Sequence, residues 1–142
     1  MSARRIRELE SDLRTRRQER TDTRQERLAL SEELARMRQA ERALDGVIAS
    51  SEADKSQLLK LDYEDVGQWS SVRQRQSANA HNQSVRDAKS NVDRLNSTMT
   101  SLRRLIAATE QEMERLAVRI EGISTDITNI QREIERLRAR QN

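Results

Sequence analysis

Cysteine, proline and phenylalanine are absent from this 142-residue sequence, and glycine appears only three times. Without cysteine there are no disulfides and no thiolate metal sites. A single histidine, His81, leaves no His-rich metal site either. With no proline and little glycine, almost nothing in the chain breaks a helix. Aromatic residues amount to one Trp and one Tyr, 1% of the chain. Large rings supply much of the buried area of a compact core, so a spherical core is hard to build here. No apolar run approaches the roughly 18 residues that a membrane span needs. The opening residues, Met1-Ser2-Ala3-Arg4-Arg5-Ile6-Arg7, lead into charged sequence with no apolar signal region. The expectation is a cytoplasmic protein, or one exported with a partner without a cleavable signal peptide.

What the chain does have is charge, at 36% of residues against 34% hydrophobic. Such a balance can signal disorder, but disorder carries no periodic apolar pattern, and this sequence has one. A narrow apolar seam with two positions in seven needs few hydrophobes, so a long coiled coil fits the composition. The 27 basic residues include only three lysines, Lys55, Lys60 and Lys89; the rest are arginine. With 24 acidic residues interleaved, net charge is only +3. That pattern reads as solvated helix faces, not as a phosphate-binding stripe.

From Val85 to Leu137 the apolar positions step by three and four without interruption. Val85, Val92, Met99, Ile106, Met113, Ile120, Ile127 and Ile134 occupy heptad position a. Ala88, Leu95, Leu102, Thr109, Leu116, Ile123, Ile130 and Leu137 occupy d, with Thr109 the one polar member. A sustained 3.5-residue period implies a helix in a left-handed supercoil. The seam continues weakly backwards through His81 and Ala78. A histidine there reads either as a tolerated polar residue or as a pH-sensitive contact.

The N-terminal arm, residues 1–61, is patchier. Ile6, Leu9 and Leu13 begin a seam, and Leu30, Leu34, Met37, Leu44 and Ile48 continue it in the same frame. Between them, Arg14 to Arg27 contains no strongly apolar residue, and its in-frame positions are Arg16, Arg20, Thr23 and Arg27. This stretch is a wet interruption, a site for acidic groups of a partner, or a place where Arg stems lie along the seam. Residues 62–71 lose the heptad frame and carry the turn or cap residues Asp62, Asp65, Gly67 and Ser70. Ser71 and Gln74 have capping-box spacing for a second arm, residues 72–142. The fold class that follows is all-α, a long antiparallel helical hairpin or coiled coil. The competing architecture is a continuous rod that dimerises. Folding the chain at about Val66 places Thr23 near Thr109, so that two polar stretches face one another.

Tyr63 and Trp69 both fall in the joining stretch, either as a hydrophobic plug or as an exposed recognition knob. Leu105, Ala107, Ala108, Ala117 and Val118 add apolar residues beside the C-terminal seam. An apolar surplus on one arm, opposite an arm too polar to satisfy it, argues for further docked helices. Isoleucine at the d positions Ile123 and Ile130 leans toward three or four helices. Candidate partner-binding residues are therefore Tyr63, Trp69, Leu102, Leu105, Ile106, Met113, Leu116, Ile120, Ile123, Ile127, Ile130 and Ile134. No Gly-rich phosphate loop and no nucleophile beside a base are present, so neither catalysis nor a cofactor is expected.

A polar first helix, a tip with Gln68-Trp69-Ser70-Ser71 and a heptad-rich second helix form a recognisable plan. It resembles the small helical partner proteins of LXG-domain toxins in the Gram-positive type VII secretion system. Those hairpins are related in plan to the WXG proteins; here Ser71 stands where the WXG pattern has glycine. The resemblance implies a chaperone-like protein that binds the helical N-terminal domain of a toxin and helps target it for export. A second reading is a self-associating structural coiled coil, a scaffold or spacer. A third is nucleic-acid binding through Arg14 to Arg27, against which Glu19, Asp22 and Glu26 within that segment count. The seam itself makes a prediction: Ile120→Asp or Ile127→Asp abolishes association and much of the helicity. Unchanged circular dichroism in both variants would refute it.

Overall fold

The structure, a computed structural model, describes residues 2–60 and 72–141, apart from the side chains of residues 73 and 74. Two α-helices account for all of them: α1, Ser2–Lys60, and α2, Val72–Gln141. They pack against each other in antiparallel fashion as an all-α helical hairpin. The joining stretch, with Tyr63, Trp69 and the Ser71 cap, lies outside the described residues.

Each helix is locally consistent along its length. Ion pairs one turn apart, Arg4–Glu8 at 3.4 Å, Arg16–Glu19 at 3.1 Å and Glu112–Arg115 at 3.1 Å, give small support to exposed faces. Threonine hydroxyls, such as those of Thr98, Thr100, Thr125 and Thr128, donate to the carbonyl four residues back. Polar side chains inside a helix are thereby satisfied without a partner helix.

Burial follows the heptad frame. On α2 every seam position from Val85 to Leu137 is buried or half-buried. On α1 the frame set by Ile6 and Leu9 runs on to Leu58, and among these positions only Arg27 is exposed. An a position on one helix meets a d position on the other, the layer pattern of antiparallel coiled-coil packing.

The helix pair divides into two compact units. The first joins α1 up to Ala35 with α2 from Ala107. Its core at one end comprises Ile6, Leu9 and Ile134, flanked by Leu13, Ile130 and Leu137. Leu34, Leu116, Ile123 and Ile127 are also buried in this unit, with Thr23 and Thr109. The second unit, Arg36–Ile106, buries Met37, Val92, Met99 and Ile106. None of the described residues of 38–60 or 72–91 is buried. The reason is in the seam: Glu41, Ser51 and Lys55 occupy it on α1, His81 and Ala88 on α2, and none closes a layer as Leu or Ile does.

The register of the first unit differs from that of a chain folded at about Val66. Leu9 lies level with Ile134 and Leu13 with Ile130, and Arg20 reaches Ser124. Continuing these layers places Thr23 level with Ile120, and Leu34 level with Thr109. The two buried threonines therefore sit about three helical turns apart, each facing an aliphatic residue. Matching Ile6, Leu9 and Leu13 to the last leucine and isoleucines of α2 buries more apolar surface than matching two threonines, and that decides the register.

Gly46 and Gly122 are exposed helical residues with ordinary negative φ, and a Cβ at either meets nothing within 4 Å. Neither glycine is required by a turn or a close approach. Gly46→Ala and Gly122→Ala should each stabilise the fold by about 0.5–1 kcal/mol, read as a rise in the urea midpoint at unchanged slope.

Candidate protein-binding surface

The polar stretch of α1 covers the seam of α2 with arginine stems. In the register above, Arg16 lies level with Ile127 and Arg20 with Ile123. Both isoleucines are at least 95% buried, and both arginines are half-buried. Their charged ends turn outward. Arg16 pairs with Glu19 at 3.1 Å and reaches Asp126 at 3.9 Å, while Arg20 donates to the Ser124 hydroxyl at 3.4 Å. Aliphatic stems shield the seam and leave the guanidinium groups in water. Next in frame, the Thr23 hydroxyl donates to the Glu19 carbonyl at 2.7 Å and needs no partner on α2. The first arm, read from sequence as too polar to satisfy the second, thus satisfies most of it.

One place is less well covered. Arg27 is exposed, with its Nε donating to the Met113 carbonyl at 3.3 Å. Beside it opens a groove lined by Arg24, Arg27, Ala117, Ile120 and Glu121. Ala117 and Ile120 are half-buried there, and Leu28, one residue on from Arg27, is 61% exposed.

The seam residues expected to bind a partner are occupied by the hairpin itself. Ile106, Leu116, Ile123, Ile127 and Ile134 are buried between α1 and α2; Leu102, Met113, Ile120 and Ile130 are half-buried. Leu105 alone of this set on α2 is exposed, and Tyr63 and Trp69 lie outside the described residues. The additional apolar residues do not merge into one face. Leu105 stands at g, Ala107 at b, Ala108 at c, Ala117 at e and Val118 at f, so helical geometry distributes them around α2.

Heptad position also sorts the flanks, since e positions of the two helices share one side of an antiparallel pair and g positions the other. Glu10–Arg138 at 2.7 Å and Asp45–Arg103 at 3.7 Å are e-to-e pairs; Arg5–Glu133 at 3.6 Å is g-to-g. In the second unit the e flank is therefore ionic, with Arg103 also meeting Glu41 at 3.4 Å. Between residues 40 and 47 of α1 and between 98 and 105 of α2 its g positions are Ala40, Val47, Thr98 and Leu105, none of them ionisable; the next g position of α1 is Asp54. Val47 and Leu105 there are 50% and 52% exposed. The hairpin thus presents many exposed apolar residues, consistent with a protein-binding surface. Sequence reading missed Val47 because it lies off the seam; assigning its heptad position would have found it.

No helix of the described residues is long and apolar enough to cross a membrane, and no group of three or more potential ligands among them could hold a metal ion. Comparison of the chain with protein-family models, with curated protein sequences and with solved structures finds no match. Covering of the seam by stems, not charges, has a direct test. Arg16→Ala and Arg20→Ala should each destabilise by about 1 kcal/mol. Methionine at either site should restore most of the loss, and about 0.5 M salt should change neither result. A full loss with methionine would show that the charge, not the stem, matters.

Proposed function

We propose that this chain is a non-enzymatic adaptor that binds the helices of another protein. The observation that carries the reading is the g flank of the second unit between 40 and 47 and between 98 and 105, which holds no ionisable residue and leaves Val47 and Leu105 half exposed. Charge depletion with exposed aliphatic side chains is the composition of an interface core. The same unit is the thinly packed one, so an added helix supplies burial that the pair lacks.

In its specific form, the proposal follows the resemblance to the partner proteins of LXG toxins. The hairpin acts in the cytoplasm as a chaperone and targeting factor, lays its flank along the toxin's helical N-terminal domain, and leaves with it. Tyr63 and Trp69 are then part of the surface shown to the export machinery or to a sister protein.

Co-expression with the product of an adjacent reading frame for a long helical domain tests this. Stable co-purification is expected, with Val47→Ser plus Leu105→Ser weakening capture at least about tenfold. Both positions are half exposed, so the melting temperature of the chain alone should fall little. Undiminished capture by that variant, or no complex with any such domain, would overturn the reading.

A further inference from the structure

The first unit carries a second surface, on the opposite kind of chemistry. On the e and b side of α1, Arg7, Arg14, Arg17 and Arg24 are all exposed. The ion pairs of this part of α1 are made by Arg4, Arg5 and Arg16, and these four arginines make none with any described residue. On the same side of α2, the b positions Glu114, Glu121 and Glu135 are exposed and likewise unpaired among the described residues. The α1 wall is basic and the α2 wall acidic apart from Glu10 and Arg138, which pair with each other within the chain at 2.7 Å; Arg24 and Glu121 stand on the two rims of the groove. Between them lie Ala117 and Ile120, with Leu28 exposed beside them.

We infer that this face is where a second copy of the chain docks, about a two-fold axis parallel to the helices, to make a four-helix bundle. That axis sets α1 of each copy beside α2 of the other. Arg24 then meets the other copy's acidic wall at the level of Glu121, and Arg7 meets it at the level of Glu135. The alternative two-fold, perpendicular to the helices, would set arginines against arginines. A two-fold interface must be self-complementary, and a wall of each sign on one face satisfies that condition for only one of these axes. The opposite flank lacks such walls: its α2 side mixes Glu112, Asp126 and Glu133 with Arg115, Arg119 and Arg136, and Glu19, Glu112, Asp126 and Glu133 already pair with arginines of the same chain. Closing the e-side face buries Ile120, Ala117 and Leu28, which supply apolar area; the walls supply orientation and exclude the wrong axis. The inference uses a different surface from the adaptor reading and stands independently of it.

Two full-length charge-reversed variants test it by sedimentation. In the first, Arg17→Glu and Arg24→Glu make both walls acidic; in the second, Glu114→Arg and Glu121→Arg make both basic. The unmodified chain should sediment at twice its 16.5 kDa mass, and each variant alone should have a dimer dissociation constant raised at least about tenfold. An equimolar mixture should regain the dimer, because each wall again meets its opposite across the two-fold. Circular dichroism of each variant guards against unfolding, since all four sites are exposed. A monomeric unmodified chain, variants that dimerise normally, or a mixture that fails to recover would each overturn the inference.

Discussion

Everything in this hairpin depends on a seam that uses only two positions in seven and is nevertheless closed. An antiparallel pair has no second layer to hide a poor fit, so each a position must meet a d position able to cover it. On α2 that requirement is met by aliphatic residues over more than seven heptads. On α1 it is met by leucine, isoleucine and methionine where they are available, by arginine stems at Arg16 and Arg20 and by the buried Thr23, and less fully where Glu41, Ser51 and Lys55 stand. The stems leave Ile127 and Ile123 nearly inaccessible to water while their guanidinium groups reach Asp126, Glu19 and Ser124. Arginine serves here as an aliphatic chain that remains soluble at its end. The consequence for function is direct: with the seam closed from within, a partner has to meet the flanks.

The helix of α2 and its buried face were legible residue by residue, because apolar periodicity reports burial when hydrophobes are the buried residues. The seam of α1 was only partly legible for the converse reason. Arg16, Arg20 and Thr23 are in frame, but hydropathy marks them as solvent-facing, whereas the stem of an arginine and the back-bonded hydroxyl of a threonine can both lie in the seam. Register was not legible at all. It turns on which residues of α1 lie level with which of α2, and a chain folded at about Val66 sets Thr23 opposite Thr109. What decides it is the cluster of Ile6 and Leu9 with Ile134, against which Leu13 and Ile130 pack, and it joins residues more than a hundred positions apart. The apolar residues from 105 to 118 looked like one face as a linear count. At 3.6 residues per turn they occupy five different heptad positions.

Charge behaves similarly. Along the sequence the two signs alternate and nearly cancel, which suggests uniformly solvated surfaces. Sorting by heptad position separates them in the first unit: apart from the Glu10–Arg138 pair, basic residues gather on the e and b side of α1 and acidic residues on that side of α2. Exposed ion pairs contribute little to folding, typically under about 1 kcal/mol each, so this sorting is not needed to hold the hairpin together. Charges that do little for stability are the ones available to set orientation in an association.

Uneven packing bears directly on the role proposed for the thinly packed unit. Local opening is least costly where few apolar groups are buried, and residues 38–60 and 72–91 bury none. Glu41, Ser51 and Lys55 in the seam prevent that stretch from closing as tightly as the layers around Leu9 and Ile134. Replacing them by leucine would strengthen the helix pair, but it would also remove the incentive to accept another helix. A ligand that binds only the folded form stabilises it in proportion to its affinity. A stretch left marginal by its own seam, with Val47 and Leu105 half exposed beside it, gains most from such a ligand. In the proposed adaptor, the polar seam residues of that unit are the feature that keeps it receptive.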